Sequence, residues 1–103
     1  MYKYTATVTR VLDANTLELL VDLGFGVTIQ RVFGVINASA PVFRDPTADH
    51  DEAQRAKSDA WEISGHKRVL IETEKVGKYG RYLAKVTLPD GRTFINAMKE
   101  RGW

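Results

Sequence analysis

The chain has no cysteine in its 103 residues. That excludes a disulfide framework, a thiolate zinc site and a Cys nucleophile, and it is compatible with a reducing compartment. No apolar run approaches the roughly 20 residues that a membrane span needs. The start, Met1-Tyr2-Lys3-Tyr4, has no apolar run behind it, so no secretory signal is expected and a cytoplasmic location is. Proline is scarce, at 3 residues. Pro41 and Pro46 fall close together and end a β pattern, because proline cannot donate to a sheet ladder. Between Glu18 and Glu52 the sequence holds no Glu.

What is present is ordinary for one globular domain spanning residues 1–103. Hydrophobic content is 44% and charged content 27%, so nothing points to disorder. A net charge of +2 and a pI near 9.0 are a weak indication of an anionic partner. The distribution says more. Arg44 to Glu62 is acid-rich and His66 to Arg101 is base-rich. A basic side on a near-neutral protein is either an electrostatic footprint for phosphates or a solvated surface.

The hydrophobic pattern alternates with a period of two from Tyr2 to Asp13, placing Tyr2, Tyr4, Ala6 and Val8 on one face. Asp13-Ala14-Asn15 is turn chemistry. Thr16–Asp22 reads as a second strand, Leu23-Gly24-Phe25-Gly26 as a hairpin connection, and Val27–Ile36 as a third strand. After a loop from Asn37 to Pro46, Asp49 or Asp51 suits a helix cap. Ala53, Ala56, Lys57, Ala60, Trp61 and Ile63 then follow helical spacing, and Gly65 suits the C-terminal cap. Val69–Thr73 is a fourth strand, Glu74–Gly80 a polar loop and Arg81–Leu88 a fifth strand. Pro89-Asp90-Gly91 is a turn, and Phe94–Arg101 a short closing helix. By this pattern Tyr2, Tyr4, Phe25, Phe33, Trp61 and Tyr82 are core or half-buried residues. Three meandering strands, a helix, two strands and a helix predict a mainly β five-stranded Greek-key barrel, the OB-fold. An SH3-like barrel is the runner-up, disfavoured by the helix between strands three and four.

The chemistry concentrates at Lys78-Tyr79-Gly80-Arg81-Tyr82-Leu83-Ala84. A Lys, a Tyr and an Arg crowd around a Gly at the mouth of an apolar strand. Arg81 suits a bidentate phosphate contact, Tyr79 a hydroxyl donor and Lys78 a point charge. The plainer alternative is a Tyr79-Gly80 turn with Arg81 paired to a nearby acid.

Taken with Arg10-Val11-Leu12-Asp13-Ala14-Asn15-Thr16-Leu17, Ile36-Asn37-Ala38 and Leu88-Pro89-Asp90-Gly91, this segment resembles the staphylococcal-nuclease (thermonuclease-like) family. The segments fall in family order across essentially the whole chain. The Val21-Asp22-Leu23-Gly24-Phe25-Gly26 hairpin is similar to that of small phage- or prophage-derived members. The resemblance implies an OB-fold and Ca²⁺-dependent cleavage of DNA and RNA. Carried over position by position, it also implies losses. The family's Asp-Gly-Asp-Thr motif reads Asp13-Ala14-Asn15-Thr16, so a ligand carboxylate has become the amide of Asn15. Aligned without a gap, Val32 stands at a phosphate-Arg position, Asn37 at an Asp ligand, Ser39 at a Pro, and Ala40 at the Glu that activates water. An inserted residue would bring Arg31 to the Arg position, but no Glu to Ala40. Arg81 is the retained phosphate arginine, with Lys78 and Tyr79 beside it.

A Ca²⁺ site needs oxygen ligands, mostly carboxylates. Losing one ligand charge costs on the order of 4 kcal/mol at an effective dielectric near 20. Losing a general base costs roughly 10²–10⁴-fold in rate, and losing a phosphate Arg a further ~10²–10³-fold. The resemblance therefore implies a catalytically degenerate domain that binds single-stranded DNA or RNA, or another phosphorylated ligand, with no cofactor. Its alternatives are a calcium-dependent nuclease with ligands displaced toward Asp13, and a structural or protein-interaction module. Asp13 reads first as a turn former and Asp49 or Asp51 as a helix cap. His50 and His66 read as surface residues. Ser39 and Ser64 have no paired base.

Overall fold

The computed structural model describes residues 2–36, 38, 49–76 and 81–103; of Lys75, Val76 and Arg81 it describes the backbone alone. The strands are β1 (Tyr2–Asp13), β2 (Thr16–Asp22), β3 (Thr28–Val35), β4 (Arg68–Val76) and β5 (Arg81–Thr87). Helix α1 (His50–Ser64) lies between β3 and β4, and α2 (Phe94–Glu100) follows β5. The strands close into a barrel in the order β1-β2-β3-β5-β4. All pairings are antiparallel except β3–β5. This is the mainly β, five-stranded OB-type barrel that the element order predicts. β4 runs past Thr73, because Glu74, Lys75 and Val76 pair with Leu83, Tyr82 and Arg81.

Alternation builds the core. Ala6 and Val8 of β1, Leu17, Leu19 and Val21 of β2, Val69 and Ile71 of β4, and Ala84 and Val86 of β5 all face inward and are buried. In β1 the register shifts between Val8 and Arg10. One extra residue there moves the inward position to Val11 and sends Arg10 to solvent, as a β-bulge does. Ala53, Ala56 and Ala60 are fully buried, and these small side chains bring α1 close to β1.

Both helices start on side-chain caps. Asp49 accepts from the Asp51 amide at 2.8 Å, and Thr93 accepts from the Asn96 amide at 3.1 Å. At the other end of α1 the expected glycine cap has a different cause. Gly65 has an ordinary φ of −55°, and His66 is the residue with positive φ, at 58°. Glycine is needed at 65 because a Cβ there would lie 2.6 Å from Trp61 Cδ2.

The ends of the barrel differ. Beside the Asp13–Thr16 turn, Ala14, Ala38, Phe94, Met98 and Trp103 enclose only about 10 Å³. At the opposite end, where β1 begins and β2 finishes, a groove of about 220 Å³ stays open. Of the aromatics expected to be core or half-buried, Tyr2 is 71% exposed and Phe25 fully exposed, while Phe33 is buried. Phe25 tips a hairpin whose inward positions run out at Leu23. No helix among the described residues is long and apolar enough to cross a membrane.

Candidate nucleic-acid interface

The Asp13–Thr16 turn is made by its own side chains. Asp13 is buried, and its Oδ1 accepts from the Asn15 amide at 2.8 Å. That is the turn-forming role expected of an Asx residue. The Asn15 carbonyl in turn accepts from the Val35 amide at 2.8 Å, which ties the turn to the end of β3. Thr16 pairs with Gly34, and Gly34 pairs with Leu83 of β5. The Ile36 amide donates to the Ala84 carbonyl at 3.0 Å. Three sequence-distant segments, the turn, the end of β3 and the first half of β5, therefore meet side by side.

Of the residues singled out in the sequence, Asn15, Asp13 and Val32 are described here and Arg81 opens β5. Asn37, Ser39, Ala40, Lys78 and Tyr79 lie outside the described residues, as does the side chain of Arg81. Val32 pairs with Glu18 on the outer face of the barrel and is 44% exposed. Arg31 pairs with the buried Leu19, so it sits on the inner face and lines the open end. The two candidates for a phosphate arginine position thus occupy opposite faces of β3.

The acid beside Val32 is engaged. Glu18 Oε1 accepts from Thr9 Oγ1 at 3.2 Å and from Gln30 Nε2 at 3.0 Å, a network that crosses three strands. The described residues of the turn supply one carboxylate, already bonded to Asn15, together with amide and hydroxyl oxygens. A hard cation such as Ca²⁺ takes six to eight oxygens with carboxylates among them, and this described set does not fit one. The Thr16 hydroxyl beside it is buried, with no hydrogen-bond partner among the described residues. An orphaned buried hydroxyl carries a desolvation cost.

The base-rich second half is less free than its charges suggest. Arg68 pairs with Asp22 at 3.2 Å and Arg92 with Asp90 at 2.8 Å. Arg92 also meets Glu100, and Arg101 pairs with Asp59 at 3.0 Å and with Glu62. Hydrogen bonds donated to Asp90 and then to Glu100 push the Arg92 guanidinium further toward its charged form. Glu62 and then Asp59 do the same to Arg101. Ser64 Oγ donates to the Ala60 carbonyl at 2.6 Å, the role of a buried helix-end serine. His66 is exposed and stands edge-on to Trp61 at 4.9 Å.

Sequence reasoning named Arg31 only as an alternative phosphate arginine and missed that it meets Tyr2, Tyr4 and Tyr82 at the open end. A signal existed: Arg31 is a cation at an inward position of β3 whose other inward residues, Ile29, Phe33 and Val35, are apolar. No family model matches this chain, and no curated protein is significantly similar to it.

Proposed function

We propose that the chain is a catalytically degenerate nuclease-like barrel that binds single-stranded nucleic acid, or another phosphorylated ligand, through Lys78, Tyr79 and Arg81. One observation carries this reading. Thr16, Gly34 and Leu83 stand abreast on β2, β3 and β5. Residues aligned with a metal-binding turn thereby adjoin the strand that Arg81 opens, and at the turn the amide of Asn15 stands where a ligand carboxylate would be needed. Val32 on the outer face of β3 adds no cation. Such a surface suits gripping a phosphate better than hydrolysing its ester.

The test is a calcium titration with a labelled single-stranded oligonucleotide, scored for retention and cleavage, with Arg81→Ala as control. Retention without cleavage, weakened by salt and by the substitution, is the expected result. Cleavage that needs both Ca²⁺ and Arg81 would instead make the chain a working nuclease with displaced ligands. Neither retention nor cleavage would leave a structural or protein-interaction module.

A further inference from the structure

The open end of the barrel exists because β3 and β5 pair only at Gly34–Leu83 and Val35–Ala84. β3 begins at Thr28, so most of its length has no β5 neighbour and its inner face is uncovered. Tyr2 and Tyr4 of β1, Arg31 and Phe33 of β3, Thr73 of β4 and Tyr82 of β5 line the groove. Phe33 forms its buried floor. The Tyr82 ring is tilted 58° to that of Phe33, at a centroid distance of 6.0 Å. At the lip, Tyr2 and Tyr82 present ring surface to water. A small barrel gains stability by burying such surface, and an exposed aromatic cluster marks a place where something docks.

The charge narrows what docks. Arg31 makes no ion pair among the described residues, and its Nη1 donates to the neighbouring Gln30 carbonyl at 3.1 Å. None of the lining residues is acidic. The volume, about 220 Å³, falls below the roughly 300 Å³ of the smallest drug-sized pockets. It suits one planar ring rather than a whole nucleotide, with an anion at the rim.

We propose that this open end is a stacking subsite for one unpaired base of a single-stranded nucleic acid, an adjoining phosphate lying against Arg31. The proposal rests on the reading of the chain as a nucleic-acid binder and adds a site on the opposite face of β3 from Val32. Every base has a π-face, so stacking on tyrosine tolerates sequence, and a guanidinium takes a phosphate in a two-point grip. A base held in a duplex is already stacked and does not enter without flipping.

The test compares binding of a labelled oligothymidylate and an abasic strand of equal length by the whole chain, by Tyr2→Ala and by Arg31→Gln. Both residues are exposed, so both variants keep the barrel. Tyr2→Ala is expected to weaken oligothymidylate binding about 5-fold or more and to erase the preference over the abasic strand. Arg31→Gln is expected to flatten the dependence of log K on log salt by about 0.7. Equal binding of both strands, unchanged in Tyr2→Ala, overturns the subsite while leaving nucleic-acid binding intact. A parallel NMR titration with thymidine 5′-monophosphate covers the remaining case. Shifts at Tyr2, Tyr4, Phe33 and Tyr82 without oligonucleotide retention would uphold the groove as a base site and overturn the wider reading. Neither shifts nor retention overturns both.

Discussion

The Trp103 indole N–H donates to Asp59 Oδ2 at 2.8 Å, and Arg101 donates to Oδ1 of the same carboxylate at 3.0 Å. One half-buried acid on α1 therefore anchors two residues that follow α2. The indole itself packs on the core beside Ala14 and Phe94, at the end of the barrel that is closed.

Trp103→Phe keeps an aromatic ring at that position and removes the hydrogen bond. The expected loss is about 1 kcal/mol, the ordinary net value of such a bond. Urea unfolding should show a lower midpoint at unchanged slope. Asp59→Ala removes both anchors and should cost more than Trp103→Phe. Equal losses in the two variants would mean that Arg101 contributes nothing through Asp59.

Gly65→Ala tests the close approach of α1 to its own end. A Cβ at 65 would meet the Trp61 ring at 2.6 Å and the Trp61 carbonyl at 2.7 Å. Overpacking of this kind costs about 1–3 kcal/mol. Trp61→Ala in the same chain removes the ring but not the carbonyl. A double-mutant cycle should therefore show partial rescue, and full rescue would locate the whole conflict in the ring.

The fold was legible because its elements are locally consistent. Both β1 and β2 were bounded to the residue, β1 by its alternation, and Pro-Asp-Gly marked the turn at 89–91, where the Gly91 amide donates to the Leu88 carbonyl at 3.0 Å. Asp13 and Asp49 did what their side chains do best, hydrogen-bonding backbone two residues on. Exposure of Tyr2 and Tyr82 was not legible. It follows from how few residues β3 and β5 share, a long-range quantity with no local signature. The commitment of Arg68 and Arg101 to ion pairs was hidden for a related reason. Arg68–Asp22 and Arg101–Asp59 join residues far apart in sequence, so counting charges along the chain overstated the free basic surface.

Phe25 is fully exposed with a φ of 56°, between Gly24 at 83° and Gly26 at 74°. A bulky residue in the left-handed region costs about 1–2 kcal/mol, and here no burial offsets it. Phe25→Asn relieves the strain, since asparagine tolerates this region. The expected result is a Tm equal to or above that of the parent, and Phe25→Val should lower it. A clear fall in Tm for Phe25→Asn would mean that the ring has a partner on the surface.

Acid should loosen the same hairpin and the turn at 89–91. The Gly24 amide donates to Asp22 Oδ1 at 2.8 Å, and this bond, with help from Arg68, holds the carboxyl below its usual 3.8. Arg92 does the same for Asp90, through its side chain first and its amide second. Both folded-state values are depressed, so the stabilisation is present in full above the unfolded value. It is lost as pH falls through the folded one. Asp22→Asn and Asp90→Asn should each flatten the acid limb of stability, measured as urea midpoint from neutral pH downward. Because both carboxylates face solvent, salt should shrink the effect. An acid limb of unchanged steepness in the double variant would mean that neither carboxylate contributes to acid sensitivity.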